Sequence, residues 1–192
     1  MEKYQRLDEL KDEILRDNPT PALESQAANL VMGDGSPNAD LLFIGEAPGE
    51  KEDETGLPFQ GAAGKRLNEL LDASNLQRQD VYITNLVKYR PPNNRDPKSE
   101  EKQAFWSYLE RELEIVNPKV ILTLGRHSMS HFLPDATIGD IHGQLHDVTV
   151  GGKNYTVAPL YHPAATLFNR KLLPEYMADL PRVIEELKTR RD

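Results

Sequence analysis

The 192-residue sequence contains no cysteine. That excludes disulfides, thiolate zinc sites and iron–sulfur clusters held by cysteine. Long apolar runs are missing as well. None approaches the ~20 residues of a membrane span, and Met1-Glu2-Lys3-Tyr4-Gln5 does not begin a signal peptide. A cytoplasmic location with no membrane partner is the expectation. Positive charge is in deficit: the formal net charge is −8, which counts against nucleic-acid binding, since that usually needs a basic surface. Distribution qualifies the sum. Acidic residues crowd the N-terminal helix and Glu50 to Glu54, whereas Lys88, Arg90, Arg95, Arg126, Arg170 and Lys171 fall in loops expected at one rim. Such a rim on an acidic body can hold a short piece of DNA, weakly and with strong salt dependence.

What remains is the composition of an ordinary globular protein, 38% hydrophobic and 28% charged. No linker, repeat or low-complexity tract divides it, so one domain over 1–192 and a monomer are expected. Residues 2–17 carry Tyr4, Leu7, Leu10, Ile14 and Leu15 among charges, an amphipathic helix stopped by Asn18-Pro19-Thr20-Pro21. An irregular connection through Gly33-Asp34-Gly35-Ser36-Pro37 leads to a strand at Leu41 to Ile44. Further helices are expected at about 62–74, from Ser99 to about Val116, as a short turn after Gly125-Arg126, and at about 175–190. Further strands are Val81 to Asn85, Val120 to Leu124, and a hairpin of His146 to Val150 and Asn154 to Tyr161 turning at Gly151-Gly152. Strands alternating with helices predict a three-layer α/β/α fold with a central, mainly parallel sheet.

Two strand ends stand out. Leu41-Leu42-Phe43-Ile44 runs into Gly45-Glu46-Ala47-Pro48-Gly49-Glu50, and Thr156-Val157-Ala158-Pro159-Leu160-Tyr161 runs into His162-Pro163-Ala164-Ala165. Ligands of open α/β sheets bind just beyond the carboxyl ends of the strands. Ionisable groups there, among glycines that let the backbone come close, are placed for chemistry.

These motifs, with Gly56-Leu57-Pro58-Phe59-Gln60-Gly61, Thr84-Asn85-Leu86-Val87-Lys88 and Arg90-Pro91-Pro92-Asn93-Asn94-Arg95 in this order, resemble the uracil-DNA glycosylase superfamily. The similarity is greatest to its family 4 and spans roughly Asn29 to Asn169, and it implies that the central, mainly parallel sheet is four-stranded. It implies excision of uracil from DNA by hydrolysis of the N-glycosidic bond, with uracil-containing DNA as partner and single strands or mismatches as expected substrates. Such a reaction needs a donor to the developing uracil oxyanion, an oriented water, and a pocket for the flipped base.

By that resemblance His162 is the donor to the base O2; otherwise it is a histidine packed at a strand end. Asn85 offers a carbonyl and an amide that complement uracil N3–H and O4; otherwise it caps a strand. Phe59 stacks on the base, or simply packs in the core. Gly45 and Ala47 belong to the substrate-binding loop. Either Glu46 positions the water, or a residue of Glu50-Lys51-Glu52-Asp53 does, unless that run is a solvated acidic turn. Glu52 is also the position expected to exclude the thymine methyl. DNA contacts are expected from Lys88, Arg90, Arg95 and Arg170, with Leu167 as the apolar wedge because Thr166 departs from the family's apolar choice.

The family's four cluster cysteines are replaced: counting places them near Asn18, Pro21, Tyr89 and Phe105. No cluster and no other cofactor are expected, with packing filling the space. Two histidine pairs, His127/His131 and His142/His146, have zinc-compatible spacing but no third ligand, so no metal site is expected. Two rivals stay open: a catalytically divergent DNA-binding or damage-sensing protein on the same fold, and an α/β hydrolase or phosphotransfer enzyme using the acidic loop with a metal.

Overall fold

Leu41-Leu42-Phe43-Ile44 and Val120-Ile121-Leu122-Thr123-Leu124 have almost no polar position to turn toward solvent, which suits strands covered on both faces. In the computed structural model, which describes residues 1–190, both lie at the centre of one six-stranded sheet. The strands are β1 (Asp34–Gly35), β2 (Leu41–Gly45), β3 (Tyr82–Asn85), β4 (Val120–Leu124), β5 (His146–Val150) and β6 (Lys153–Leu160). Their order is β1-β3-β2-β4-β6-β5. The inner four, β3, β2, β4 and β6, are parallel. Antiparallel β1 and β5 are added at the two edges. The expected four-stranded parallel sheet is thus the centre of a mixed one.

Helices cover both faces. α1 (Glu2–Asp17) and α5 (Ser99–Val116) bury Leu10, Ile14, Phe105, Leu109 and Leu113 against Leu42, Ile44, Tyr82 and Ile121. α4 (Ala62–Ala73) and α9 (Leu173–Thr189) bury Leu67, Leu70, Leu71, Tyr176 and Leu180 against Phe43, Ile83, Leu122 and Ala158. Alternate strand residues serve opposite layers, as the period of two requires. Each fully buried leucine contributes about 1.5–3 kcal/mol, so the two layers are the main stabilising mass. Gly151 and Gly152 both adopt positive φ, 58° and 78°, and close the expected β5–β6 hairpin.

Short elements connect these: α2 (Pro21–Glu24), α3 (Glu50–Thr55), α6 (Arg126–Met129), α7 (Ile138–Ile141) and α8 (Ala165–Phe168). One differs from the sequence expectation: the connection through Gly33-Asp34-Gly35 contributes β1, because Asp34 and Gly35 pair with Ile83 and Tyr82. Of the readings left open for the acidic run Glu50 to Glu54, the structure makes it a helix, with Glu52 accepting from the backbone N–H of Gly49 at its start. No described helix is long and apolar enough to cross a membrane. Parallel register aligns Gly45 with Asn85 and Leu124 with Leu160, so the loops carrying Glu46, Asn85, Gly125 and His162 leave the sheet on one side.

Candidate active site

At that side a cleft of about 590 Å³ is lined by Ala47, Glu52, Phe59, Asn85, His162 and Phe168, among others. Two of these, Asn85 and Phe59, fit closely against Gly45 at the end of β2. A Cβ on Gly45 would lie 2.3 Å from Asn85 Oδ1 and 2.6 Å from the Phe59 ring. Only glycine lets the amide and the ring meet over the end of β2. Asn85 is 2% exposed, and its Oδ1 has no hydrogen-bond partner within the protein. A buried, unpaired carbonyl oxygen costs about 1–3 kcal/mol, which an incoming N–H relieves.

Phe59 holds a left-handed φ of 53°, so the ring is carried at a strained turn. Two residues secure that turn. Arg78, which the sequence reading did not single out, donates to the carbonyls of Pro58 at 2.7 Å and Phe59 at 3.2 Å. Glu52 Oε1 accepts from the N–H groups of Gln60 at 2.6 Å and Gly61 at 2.8 Å. Its Oε2 accepts from Gly49 at 3.0 Å. Both carboxylate oxygens of Glu52 therefore tie the Gly45–Gly49 loop to the Phe59 turn while the side chain lines the cleft.

His162 faces Phe59 with ring centroids 6.1 Å apart. Its Nδ1 accepts the backbone N–H of Ala164 at 3.1 Å. That fixes the remaining ring proton on Nε2. Burial, with a smaller push from His127, lowers the imidazole's pKa to about 4. The ring is thus a neutral donor at neutral pH.

Behind His162 lies a second cavity of about 310 Å³, bordered by Glu46, Gly125, His127 and Tyr161. Glu46 Oε1 sits 3.6 Å from both Lys102 Nζ and His127 Nδ1. Burial raises its pKa, opposed by the charges of His127 and Lys102. Asp96 reaches His127 Nε2 at 3.6 Å. Lys102, His127 and Asp96 come from three separate segments, so only the fold reveals that they surround Glu46. Glu46, Asp96 and His127 offer ligand atoms within 4.8 Å of one another, but the Lys102 ammonium already stands as the cation beside that carboxylate.

Within the two histidine pairs, His131 stacks on Trp106 at 5.2 Å, and His142 Nδ1 lies 2.8 Å from Asp179 Oδ2. At the positions of the family's cluster cysteines, Asn18 caps α1 in the left-handed region and Pro21 begins α2. Tyr89 and Phe105 are buried, their rings meeting edge to face at 6.1 Å. Side chains without thiolates, packed this way, do not fit an iron–sulfur cluster.

The rim differs from expectation at two cations. Lys88 is buried, not rim-facing: its ammonium contacts Glu112 Oε2 at 2.5 Å and Thr84 Oγ1 at 2.6 Å. Arg95 forms a two-bond fork with Glu101, at 2.9 and 2.7 Å, which occupies the face a phosphate would use. Arg90 donates to Asn94 Oδ1 at 2.7 Å and stays half-buried. Arg126, Arg170 and Lys171 are exposed and have no ion pair among the described residues. Thr166 is buried, its hydroxyl donating to the Pro163 carbonyl. Leu167 is 39% exposed, but its neighbour Phe168 is 90% exposed and borders the cleft.

A family model described as the uracil DNA glycosylase superfamily matches residues 32–187. The chain is 46% identical over 171 residues to a type-4 uracil-DNA glycosylase of Saccharolobus solfataricus, covering 84% of this chain and 78% of that one. It is 44% identical over 168 residues to the type-4 enzyme of Archaeoglobus fulgidus, covering 85% and 84%. A type-5 uracil-DNA glycosylase of Pyrobaculum aerophilum is 32% identical over 167 residues, covering 77% and 72%.

Proposed function

This chain belongs to the uracil DNA glycosylase superfamily, and from that membership we propose that it excises uracil from DNA as a monofunctional glycosylase. The observation that carries the reading is the buried, unpartnered Oδ1 of Asn85 beside Gly45 and Phe59. A uracil seated on Phe59 gives that oxygen its N3–H and takes the Asn85 amide N–H at O4. Cytosine offers an acceptor and a donor in the opposite places. As the glycosidic bond breaks, its electron pair leaves with the base and negative charge builds on O2. The neutral His162 donates Nε2–H there, a donor held in place before charge appears. Glu46 orients the water that attacks the sugar carbon from the neighbouring cavity and takes up its proton. Glu52 shapes the wall against a thymine methyl by holding the Phe59 turn.

On this reading, DNA phosphates meet Arg126, Arg170 and Lys171, with Arg90 at the edge. The exposed Phe168 and Leu167 press on the stack where the base has left. The protein acts as a cytoplasmic monomer of one domain and needs no cofactor. The test is single-turnover release of uracil from an oligonucleotide, with and without EDTA. EDTA-resistant release of free base that falls by ~10² or more in Asn85→Ala is the expected result. Intact DNA in every assay would favour the nonenzymatic DNA-binding alternative, and metal-dependent release of phosphate the hydrolase alternative.

A further inference from the structure

A lysine and a glutamate with no access to water lie directly behind the base-reading strand end. Lys88 and Glu112 have side chains 1% and 0% exposed and pair at 2.5 Å. Lys88 lies four residues after Thr84, in the loop that follows β3, and Glu112 comes from α5. The ammonium uses all three of its protons: on Glu112 Oε2, on Thr84 Oγ1 at 2.6 Å, and on the backbone carbonyl of Asn85 at 2.9 Å. The carboxylate is equally engaged. It accepts from Tyr82 Oη at 2.8 Å, from Thr84 Oγ1 at 3.1 Å and from the Gly33 N–H at 3.3 Å.

The consequence falls on a single peptide unit. The carbonyl of Asn85 is held by Lys88 Nζ, and the N–H of the same peptide, on Leu86, donates to the Gly45 carbonyl at 3.0 Å. Both ends of the peptide that leaves the Asn85 Cα are therefore fixed. Tyr82 and Thr84 point to the α5 side of β3, and Asn85 points to the opposite side, against Phe59. The charge network grips the back of the strand whose front carries the amide. Burying two charges loses more hydration than a well-packed apolar pair would. Stability alone does not call for this arrangement, whereas orientation does, since buried ionic networks lock one geometry.

We propose that Lys88 and Glu112 are positioning residues for Asn85: their buried ion pair sets the peptide that aims its side-chain amide at the flipped base. The proposal rests on the reading of Asn85 as the base-reading group. Neither Lys88 nor Glu112 touches the substrate. A shift of about 1 Å in a reading group costs roughly 10²-fold in rate, so a looser Asn85 acts on the chemical step rather than on DNA affinity.

The test is the double substitution Lys88→Met with Glu112→Leu, which removes both charges and keeps their volume. Its thermal midpoint should fall, because the Asn85 carbonyl and the Tyr82 and Thr84 hydroxyls lose their buried partners, while the fold is kept. Single-turnover uracil excision at saturating protein should fall roughly 10- to 100-fold with DNA affinity unchanged. In the substrate-free protein, the two side-chain amide protons of Asn85 should lose their dispersion in a ¹⁵N-correlated NMR spectrum. Wild-type rate together with an unchanged Asn85 amide pair would overturn the proposal. Should the double variant not fold, Thr84→Val carries the same two readouts, because it removes one hydroxyl from the network. Absence of uracil release by the wild type would instead refute the proposed function. The Asn85 amide spectrum still decides the positioning claim in that case.

Discussion

The backbone N–H of Ala164 donates to Nδ1 of His162 at 3.1 Å, so the proton on the ring is carried by Nε2. The Pro163-Ala164 turn that makes this bond is also the turn that starts α8. The local sequence His-Pro-Ala-Ala thus fixes a tautomer as well as a position.

A pH dependence follows with a definite sign. The folded pKa of His162 is lowered from 6.5 to about 4 by burial. Between those values the unfolded chain binds a proton that the folded one does not, so stability falls as pH drops through this window and is complete above it. Thermal midpoints from pH 8 to 4 should show that decline, with a shallower one for His162→Gln. Uracil release by the wild type should show no inflection near pH 6.5 attributable to His162. An inflection there that vanishes in His162→Gln would contradict a neutral imidazole.

The close approach over Gly45 predicts a pocket defect without a folding defect. In Gly45→Ala the new methyl meets Asn85 Oδ1 and the Phe59 ring at 2.3 and 2.6 Å. One of them must move. Uracil excision should fall by ~10² or more while circular dichroism stays native. Gly139→Ala is the matched control, since a methyl there meets nothing within 4 Å. Equal rates for the two variants would show that Asn85 and Phe59 do not form the base pocket.

At the positions where the resemblance to family 4 would place cluster cysteines, packing should carry stability. Phe105 is fully buried and meets the Tyr89 ring edge to face. Phe105→Ala should cost about 3–5 kcal/mol, read as a lower denaturant midpoint at constant slope. The purified protein should contain no stoichiometric iron and keep its activity after chelation. A variant as stable as wild type, or iron in the active protein, would show that the region is held together by something other than these rings.

The strands and their ends were legible because each signal is local. Leu41 to Ile44 is apolar at every position, Asn85 closes β3, and His162 follows two residues after the end of β6. The sites that were not legible depend on distant partners. Lys88 reads as a rim cation in its own segment, and only Glu112, 24 residues away, draws it inside. Arg95 is committed by Glu101 on the next helix. Glu46 acquires its neighbours Lys102 and His127 from α5 and α6. β1 has two residues and no periodicity to detect; it exists because the edge of β3 offers partners.

The final prediction separates two adjacent residues of α8. Leu167 is the apolar residue that motif order assigns to the DNA stack, yet it is 39% exposed against 90% for Phe168. Phe168 also lines the cleft with Phe59, Asn85 and His162. An aromatic ring left in water gains nothing for the fold, whereas pressed into the space of an extruded base it replaces lost stacking. That gain exists only where a duplex must be opened. Phe168→Ala should therefore lower uracil excision from double strands by ~10-fold or more and leave single strands nearly unaffected. Leu167→Ala should have the smaller effect on both, and neither change should move the thermal midpoint by much. Single-turnover rates on matched single- and double-stranded oligonucleotides make the comparison. Equal losses on the two substrates would assign Phe168 to the base pocket instead, and a larger duplex loss in Leu167→Ala would return the wedge to Leu167.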